Sequence, residues 1–176
     1  MTSPSDRTHA DPTTRNFLRP FTELTDAVDA DIAALYAERH VQGLRPRFAK
    51  VLIRLSRLGP LTVRQLAGEV GVTHSAMSQT LAELRRGGFV DSAPGADART
   101  RVITLTAAGA EAVPLLEREW NATEDLLGEL DSAVPYSLLQ VVADLRALLE
   151  ERSFLDRLRE KLADTADGTA VPTGHP

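Results

Sequence analysis

Residues 61–109 read LTVRQLAGEVGVTHSAMSQTLAELRRGGFVDSAPGADARTRVITLTAAG, and the order of their parts constrains the fold more than any other feature. Two short amphipathic helices stand on either side of Gly71, and a pair of short strands follows around a Pro-Gly turn. Thr62 and Gln65 are spaced as a capping box, in which the hydroxyl and the amide side chain satisfy otherwise orphaned backbone N–H groups. Val63, Leu66, Ala67 and Val70 recur at helical spacing, and Gly71 supplies the break. Thr73 is the expected cap of a second helix reaching about Arg86. Its Met77, Leu81 and Leu84 form an i, i+4, i+7 stripe that must face inward.

That stripe leaves Ser75, Ser78, Gln79, Ala82 and Arg86 on the opposite face. A small, hydrogen-bonding surface suits close approach to base edges, because Gln pairs bidentately with adenine and Ser donates or accepts. The same residues also fit an ordinary solvated face. Beyond Arg86, Gly87 and Gly88 end the helix, and Phe89 and Val90 open a strand. Pro94, Gly95, Ala96 and Asp97 carry turn chemistry, and Val102, Ile103 and Leu105 form the returning strand. Arg99 and Arg101 are two apart and share one face of a strand. Arginine at an exposed hairpin tip suits a narrow minor groove or a phosphate. A hairpin that merely covers a core accounts for the strands but not for the arginines.

With these parts in place, the segment resembles the winged helix-turn-helix of the multiple-antibiotic-resistance regulator (MarR) family of bacterial transcription factors. LTVRQLAGEVGVTHSAMSQTLAEL and GGFV carry the resemblance, followed by the D-x-R wing of Asp97 and Arg99 and then LTAAG, Leu105 to Gly109. The flanking helices fit it more loosely. The resemblance implies that Asp97 braces Arg99 and that Arg99 enters the minor groove. Together with the reading face, it makes Thr73, His74, Ser75, Ser78, Gln79, Arg86, Arg99 and Arg101 the expected DNA contacts. Two positions depart from the family. Ser92 stands where a basic residue is frequent, and Gln79 where many members carry Arg; both bear on the details of base and phosphate readout.

Charge supports the reading independently. The chain has a net charge of −5, which argues against indiscriminate nucleic-acid binding. Residues 44–104, however, hold ten basic side chains (Arg45, Arg47, Lys50, Arg54, Arg57, Arg64, Arg85, Arg86, Arg99 and Arg101) against four acidic ones (Glu69, Glu83, Asp91 and Asp97). A basic middle between acidic ends is the pattern of a DNA-binding lobe on a separate scaffold.

The expected architecture is mostly α with a small β-ribbon: a winged helix-turn-helix lobe plus a helical dimerisation region from the N- and C-terminal helices. Residues 1–16 and 164–176 lack an apolar period and read as disordered tails. Residues 17–43 give a first dimerisation helix with Phe21, Leu24, Val28, Ile32 and Leu35 as its stripe; residues 44–105 are the DNA-binding lobe; residues 106–163 are the C-terminal helices. Within the lobe, Arg47 to Leu58 reads as a helix with Phe48, Val51, Leu52 and Leu55 inward. The helix after Thr106 contains Pro114, which should bend it. Asp131 or Ser132 is the expected cap of one long last helix with Pro135 in its first turn. Its stripe of Leu138, Val142, Leu145, Leu149, Leu155, Leu158 and Leu162 ends about 45 Å from its start at the α-helical rise. A single small domain has no core that long. A two-fold partner using Phe21, Leu24, Leu138, Val142, Leu145, Leu149, Leu155 and Leu158 covers it better than a helix lying on its own protomer.

Other functional classes find little support. The chain has no cysteine, which excludes thiol-based oxidant sensing. His9, His40, His74 and His175 are scattered without metal-ligand spacing, so no metal and no cofactor is expected. No nucleophile–base constellation or glycine-rich phosphate loop suggests an enzyme. No apolar run approaches a membrane span, and no signal-peptide core is evident, so a cytoplasmic protein is expected. The partners expected are double-stranded DNA with a pseudo-palindromic site, a second copy of the chain and a small-molecule effector. The resemblance places such an effector between the dimerisation helices and the DNA lobe, where Tyr36, His40, Arg47, Phe48 and Trp120 are candidates that also fit ordinary core or surface roles. The competing class is a winged-helix module that binds protein without specific DNA binding.

Overall fold

The structure, a computed structural model, describes residues 11–39, 41, 43–95 and 101–167. A short 3-10 turn at Pro12–Thr14 precedes α1 (Arg19–Glu38), α2 (Pro46–Leu58), α3 (Val63–Val70) and α4 (His74–Arg86). Strands β1 (Val90–Pro94) and β2 (Arg101–Leu105) follow, and then α5 (Ala107–Ala133), α6 (Leu138–Glu151) and α7 (Phe154–Asp167). The chain forms two compact units, Met1–Trp120 and Asn121–Pro176, so that α5 contributes to both.

The first unit is built around one core. Phe48, Val51, Leu52 and Leu55 of α2 meet Leu66 and Ala67 of α3, Met77, Leu81 and Leu84 of α4, and Phe89, Val90 and Ile103 of the hairpin. Ala112, Val113 and Leu116 of α5 and Tyr36 of α1 close it. Each helix contributes the stripe its spacing dictates. α1 is the exception: Tyr36 is its one buried residue, Val28, Ile32 and Leu35 are partly covered, and Phe21 and Leu24 are exposed.

The two strands pair antiparallel, with Val90 opposite Leu105 and Pro94 opposite Arg101. Leu61 adds a third line to this small sheet, since its amide donates to the Ile103 carbonyl (3.2 Å) and the Ile103 amide donates back (2.7 Å). The residue before the capping box is therefore tied to the middle of β2, which locks the helix pair to the hairpin. Where β2 passes into α5, the Thr106 hydroxyl donates to the Gly88 carbonyl (2.6 Å) and accepts from the Gly109 amide (3.1 Å). A Cβ on Gly109 would stand 2.0 Å from the Phe89 carbonyl oxygen, so no other residue fits without moving backbone.

The second unit has no comparable interior. None of residues 121–164 is buried. Its helices also differ from the expected single long helix in two respects. The cap of α6 is Ser137, whose hydroxyl accepts from the Gln140 amide; Asp131 assists from the preceding helix by accepting from the Leu138 amide (2.6 Å) and the Ser137 hydroxyl (2.7 Å). Pro135 lies in the bend ahead of Ser137 and not in a first helical turn. The helix then breaks between Glu151 and Phe154, where Arg152 is extended and the Ser153 hydroxyl accepts from the Asp156 amide (3.2 Å) and donates to its carboxylate (2.7 Å). Arg157 closes the end of α6 by donating to the carbonyls of Leu148 (2.7 Å) and Arg152 (3.1 Å). A local cap here outcompetes helix continuation.

The tails expected at 1–16 and 164–176 lie largely outside the described residues. Where they are described, Pro12–Thr14 forms a helical turn and α7 continues to Asp167, past the expected boundary. α5 runs on through Pro114 to Ala133.

Candidate nucleic-acid interface

The reading face expected on α4 is built from the helix pair upward. Thr62 accepts from the Gln65 amide (3.2 Å) while Gln65 Oε1 accepts from the Thr62 amide (2.9 Å). That reciprocal cap starts α3 at a fixed residue. Gly71, left-handed at φ 82°, ends α3, and Lys50 Nζ donates to the Val70 carbonyl beside it (2.7 Å). A cation at a helix C-terminus is favoured both by the free carbonyls and by the macrodipole. Thr73 then caps α4 by accepting from the Ala76 amide (3.2 Å).

Between these anchors Met77, Leu81 and Leu84 are buried, while His74, Ser75, Ser78, Gln79, Ala82 and Arg86 are exposed. The Ser78 hydroxyl donates to the His74 carbonyl (2.9 Å), which leaves its oxygen as an acceptor toward an incoming group. The Thr73 oxygen is engaged as the cap. Ser75, Gln79, Ala82 and Arg86 thus share one outer strip, with one charge at its C-terminal end.

The cations of the lobe sort into two groups. Arg45 Nη1 (3.1 Å) and Arg47 Nη2 both pair with one oxygen of Glu83, and the Arg47 guanidinium lies 5.5 Å from the Phe48 ring centroid. Arg57 pairs with Glu117 (2.8 Å) and Arg54 stands 4.0 Å from Glu69. These four hold elements of the lobe together. Arg64, Arg85 and Arg86 make no ion pair among the described residues and remain as exposed positive charge. The charge available to a polyanion is therefore less than the ten basic residues suggest, because four of them pair with three acids.

In the hairpin, Arg101 is exposed but not idle: its Nε donates to the Ser92 hydroxyl (2.8 Å) and its Nη2 to the Ser92 carbonyl (2.6 Å). Asp97 and Arg99 lie outside the described residues.

The effector candidates are not gathered into an open site. Tyr36 and Phe48 are each 1% exposed and belong to the core, Arg47 is engaged with Glu83, and Trp120 is 37% exposed. His40 lies outside the described residues. One residue that sequence reasoning passed over is Glu119, an acid only 7% exposed that accepts from the Tyr36 hydroxyl (2.7 Å). Burial, together with this bond and the nearby negative charge of Glu119 and Asp29, holds the Tyr36 hydroxyl well above the usual phenol range. The signal was available: Ala112, Leu116 and Glu119 fall on one helical face, so an acid there had to go inside.

Two packed helices, a capped and exposed second helix and an antiparallel hairpin define a winged helix-turn-helix protein. The sequence model of the MarR family matches residues 42–100. No curated protein matches the chain. Among solved structures, the Mycobacterium tuberculosis transcriptional regulator MosR, crystallised with DNA, is 25% identical, with 78% of this chain and 96% of that one covered at a TM-score of 0.53. Staphylococcus aureus MepR in a DNA complex shares the fold at 18% identity, with 78% and 98% covered and a TM-score of 0.57. A MarR protein from Peptoclostridium difficile does so at 20% identity, with 92% and 97% covered and a TM-score of 0.54. Over residues 42–100 the chain is thus similar to the MarR family, whose fold it shares. Among its described residues no helix is long and apolar enough to cross a membrane.

Proposed function

We propose that this chain is a homodimeric, sequence-specific double-stranded DNA-binding regulator of transcription, and a repressor released from its operator by a small-molecule effector. The observation that carries the reading is α4: an exposed strip of Ser75, Gln79, Ala82 and Arg86 mounted on a fully buried stripe and started by a formed cap. Such a helix presents uncharged hydrogen-bonding groups at fixed positions, which is what base-edge readout requires. Exposed Arg64, Arg85 and Arg86 supply phosphate-seeking charge around it. The DNA complexes of MosR and MepR support the assignment by analogy.

Dimerisation rests on exposed apolar surface. Phe21 and Leu24 on α1, Leu138, Val142, Leu145 and Leu149 on α6, and Leu155 and Leu158 on α7 are all at least 40% exposed in one chain. That much apolar surface calls for a partner, and a second copy is the simplest. Two-fold symmetry then predicts an imperfect palindrome with half-sites about 34–36 Å apart. Effector release rests on the resemblance, and a ligand reaching Tyr36 or Phe48 has to open the core.

The test is to select duplexes from a random pool with the wild-type chain and measure affinity by gel shift at several salt concentrations. A regulator selects an imperfect palindrome, and its log affinity falls steeply with log salt as counterions are released. No selected sequence, or flat and weak binding at low salt, overturns the reading in favour of a protein-binding module.

A further inference from the structure

Arg101 was expected to touch DNA, yet its guanidinium is already committed. Nε donates to the Ser92 hydroxyl at 2.8 Å and Nη2 to the Ser92 carbonyl at 2.6 Å. The two residues are not paired in register: Ser92 stands opposite Ile103, and Arg101 opposite Pro94. The side chain therefore crosses the ribbon diagonally, from the first residue of β2 to the middle of β1. Ile103 turns both of its backbone groups toward Leu61, so Ser92–Ile103 and, two residues on, Pro94–Arg101 face each other without mutual backbone hydrogen bonds, and proline is tolerated there. The Arg101 fork adds a two-point side-chain tie across these unbonded pairs.

The geometry points to Arg101 as a positioning residue for DNA reading, a strut that fixes the strand ends from which residues 95–100 leave, and not as a phosphate contact. This rests on the DNA-binding reading above. Arginine suits the task because a planar fork donates two bonds in a set direction, which a lysine ammonium on a flexible stem does not reproduce. Ser92 suits it because a small side chain leaves room for the guanidinium and supplies a hydroxyl beside its own carbonyl. A two-stranded ribbon is marginally stable by itself. In this one Leu61 ties Ile103 on the far side, so the remaining freedom is at the outer end that Arg101 closes.

The contact and strut roles differ in what a conservative variant does. Full-length R101K, R101A, S92A and S92A/R101A are compared on a duplex selected by the wild-type chain, each over a salt series. If Arg101 is a strut, R101K loses affinity nearly as much as R101A, about tenfold, although it keeps the charge. S92A loses a smaller part of the same affinity and adds nothing once Arg101 is gone, because the two act as one unit. The salt slope stays at the wild-type value in all four. If R101K retains affinity, R101A lowers the slope by about one unit and S92A is silent, Arg101 is a phosphate contact and the proposal is overturned.

Amide hydrogen exchange of β2 in the DNA-free protein gives the second readout. It speeds up in R101A, R101K and S92A if the tie holds the hairpin, and unchanged exchange overturns the strut. Failure of the wild-type chain to select any duplex instead defeats the DNA reading, with the exchange result still deciding whether Arg101 holds the ribbon.

Discussion

The two units of the chain put their apolar side chains to opposite uses. In Met1–Trp120, α2 alone buries Phe48, Ala49, Val51, Leu52 and Leu55. In Asn121–Pro176, α6 carries a comparable stripe and buries nothing. Isolated helices of α6's length are marginal in water, since the cost of nucleation is not recovered without packing. The lobe is therefore stabilised by its own chain, whereas the described residues of the second unit leave their apolar stripe exposed. Apolar spacing looks the same in both cases. What separates them is the number of elements within reach: α2 has α3, α4, the hairpin and α5 around it, and in the second unit no assembled core surrounds α6.

The largest expected effect follows from that difference. Leu145→Glu with Leu149→Glu places two charges on the exposed face of α6. In a lone chain these substitutions are nearly silent, because surface changes usually fall within about 0.5 kcal/mol. In a dimer seam they bury unpaired charge. The expected outcome is a monomer by light scattering with operator affinity reduced about 100-fold or more, and with the helical signal of the lobe retained. A double variant that remains a tight dimer on DNA removes the claim that the second unit is completed by a copy of itself.

Next in size is a pair of truncations that sharpens the contrast. Leu66→Ala empties a fully buried site in the lobe and should cost about 2–5 kcal/mol. That loss should not depend on protein concentration. Leu149→Ala should cost less, and its cost should shrink with dilution, because the association it weakens stabilises by mass action only where dimers form. Denaturation at two concentrations checks both. Gly109→Ala belongs with the first of these: its Cβ would meet the Phe89 carbonyl, so it should loosen the start of α5 at any concentration.

How far the sequence revealed this arrangement depends on the range of the interaction involved. The two helices of the lobe, their caps at Thr62 and Thr73, the break at Gly71 and the inward residues Met77, Leu81 and Leu84 were legible, since each rests on contacts within a few positions. So were both strands. The third line at Leu61, the Arg45–Glu83–Arg47 cluster and the Tyr36–Glu119 bond join residues far apart in sequence, and no local pattern announces such partners. The α6–α7 break differs, because Ser153 and Asp156 form a local cap that was present to be read and was overshadowed by the long leucine stripe. Within the candidate site, the exposed strip of α4 followed from its buried stripe. The Arg101 tie did not, since an arginine two residues from another reads as surface charge until its partner is seen.

On the DNA side, the strip of α4 and the wing separate by selectivity. Gln79→Ala should cost on the order of 1–3 kcal/mol, mainly at one base position. Arg99→Ala should weaken all duplexes more evenly and flatten the salt slope by about one unit. Repeating the duplex selection with each variant checks this, and unchanged preferences and slopes for both displace α4 and the wing from the grooves.

The smallest effect tests how firmly α1, a largely exposed helix, is held to the buried core of the lobe. Tyr36 is the buried residue of α1, and its hydroxyl donates to Glu119 of α5. Burial first, then that bond and the charge of Glu119, raise its pKa in the folded protein above the ordinary phenol value of 10.0. A group whose pKa is raised by folding contributes its full share of stability below the unfolded value and loses it as pH climbs toward the folded one. Stability from this pair is thus intact at neutral pH and declines from about pH 10 upward, by at most about 1.4 kcal/mol per pH unit. Tyr36→Phe removes the ionisable group and with it that share of the alkaline slope, at a cost near neutrality of about 1–3 kcal/mol for the lost bond to a carboxylate. Chemical denaturation from pH 8 to 11 on both proteins reads the difference. Parallel curves mean that the phenol reaches water in the folded state and that α1 is not anchored through it.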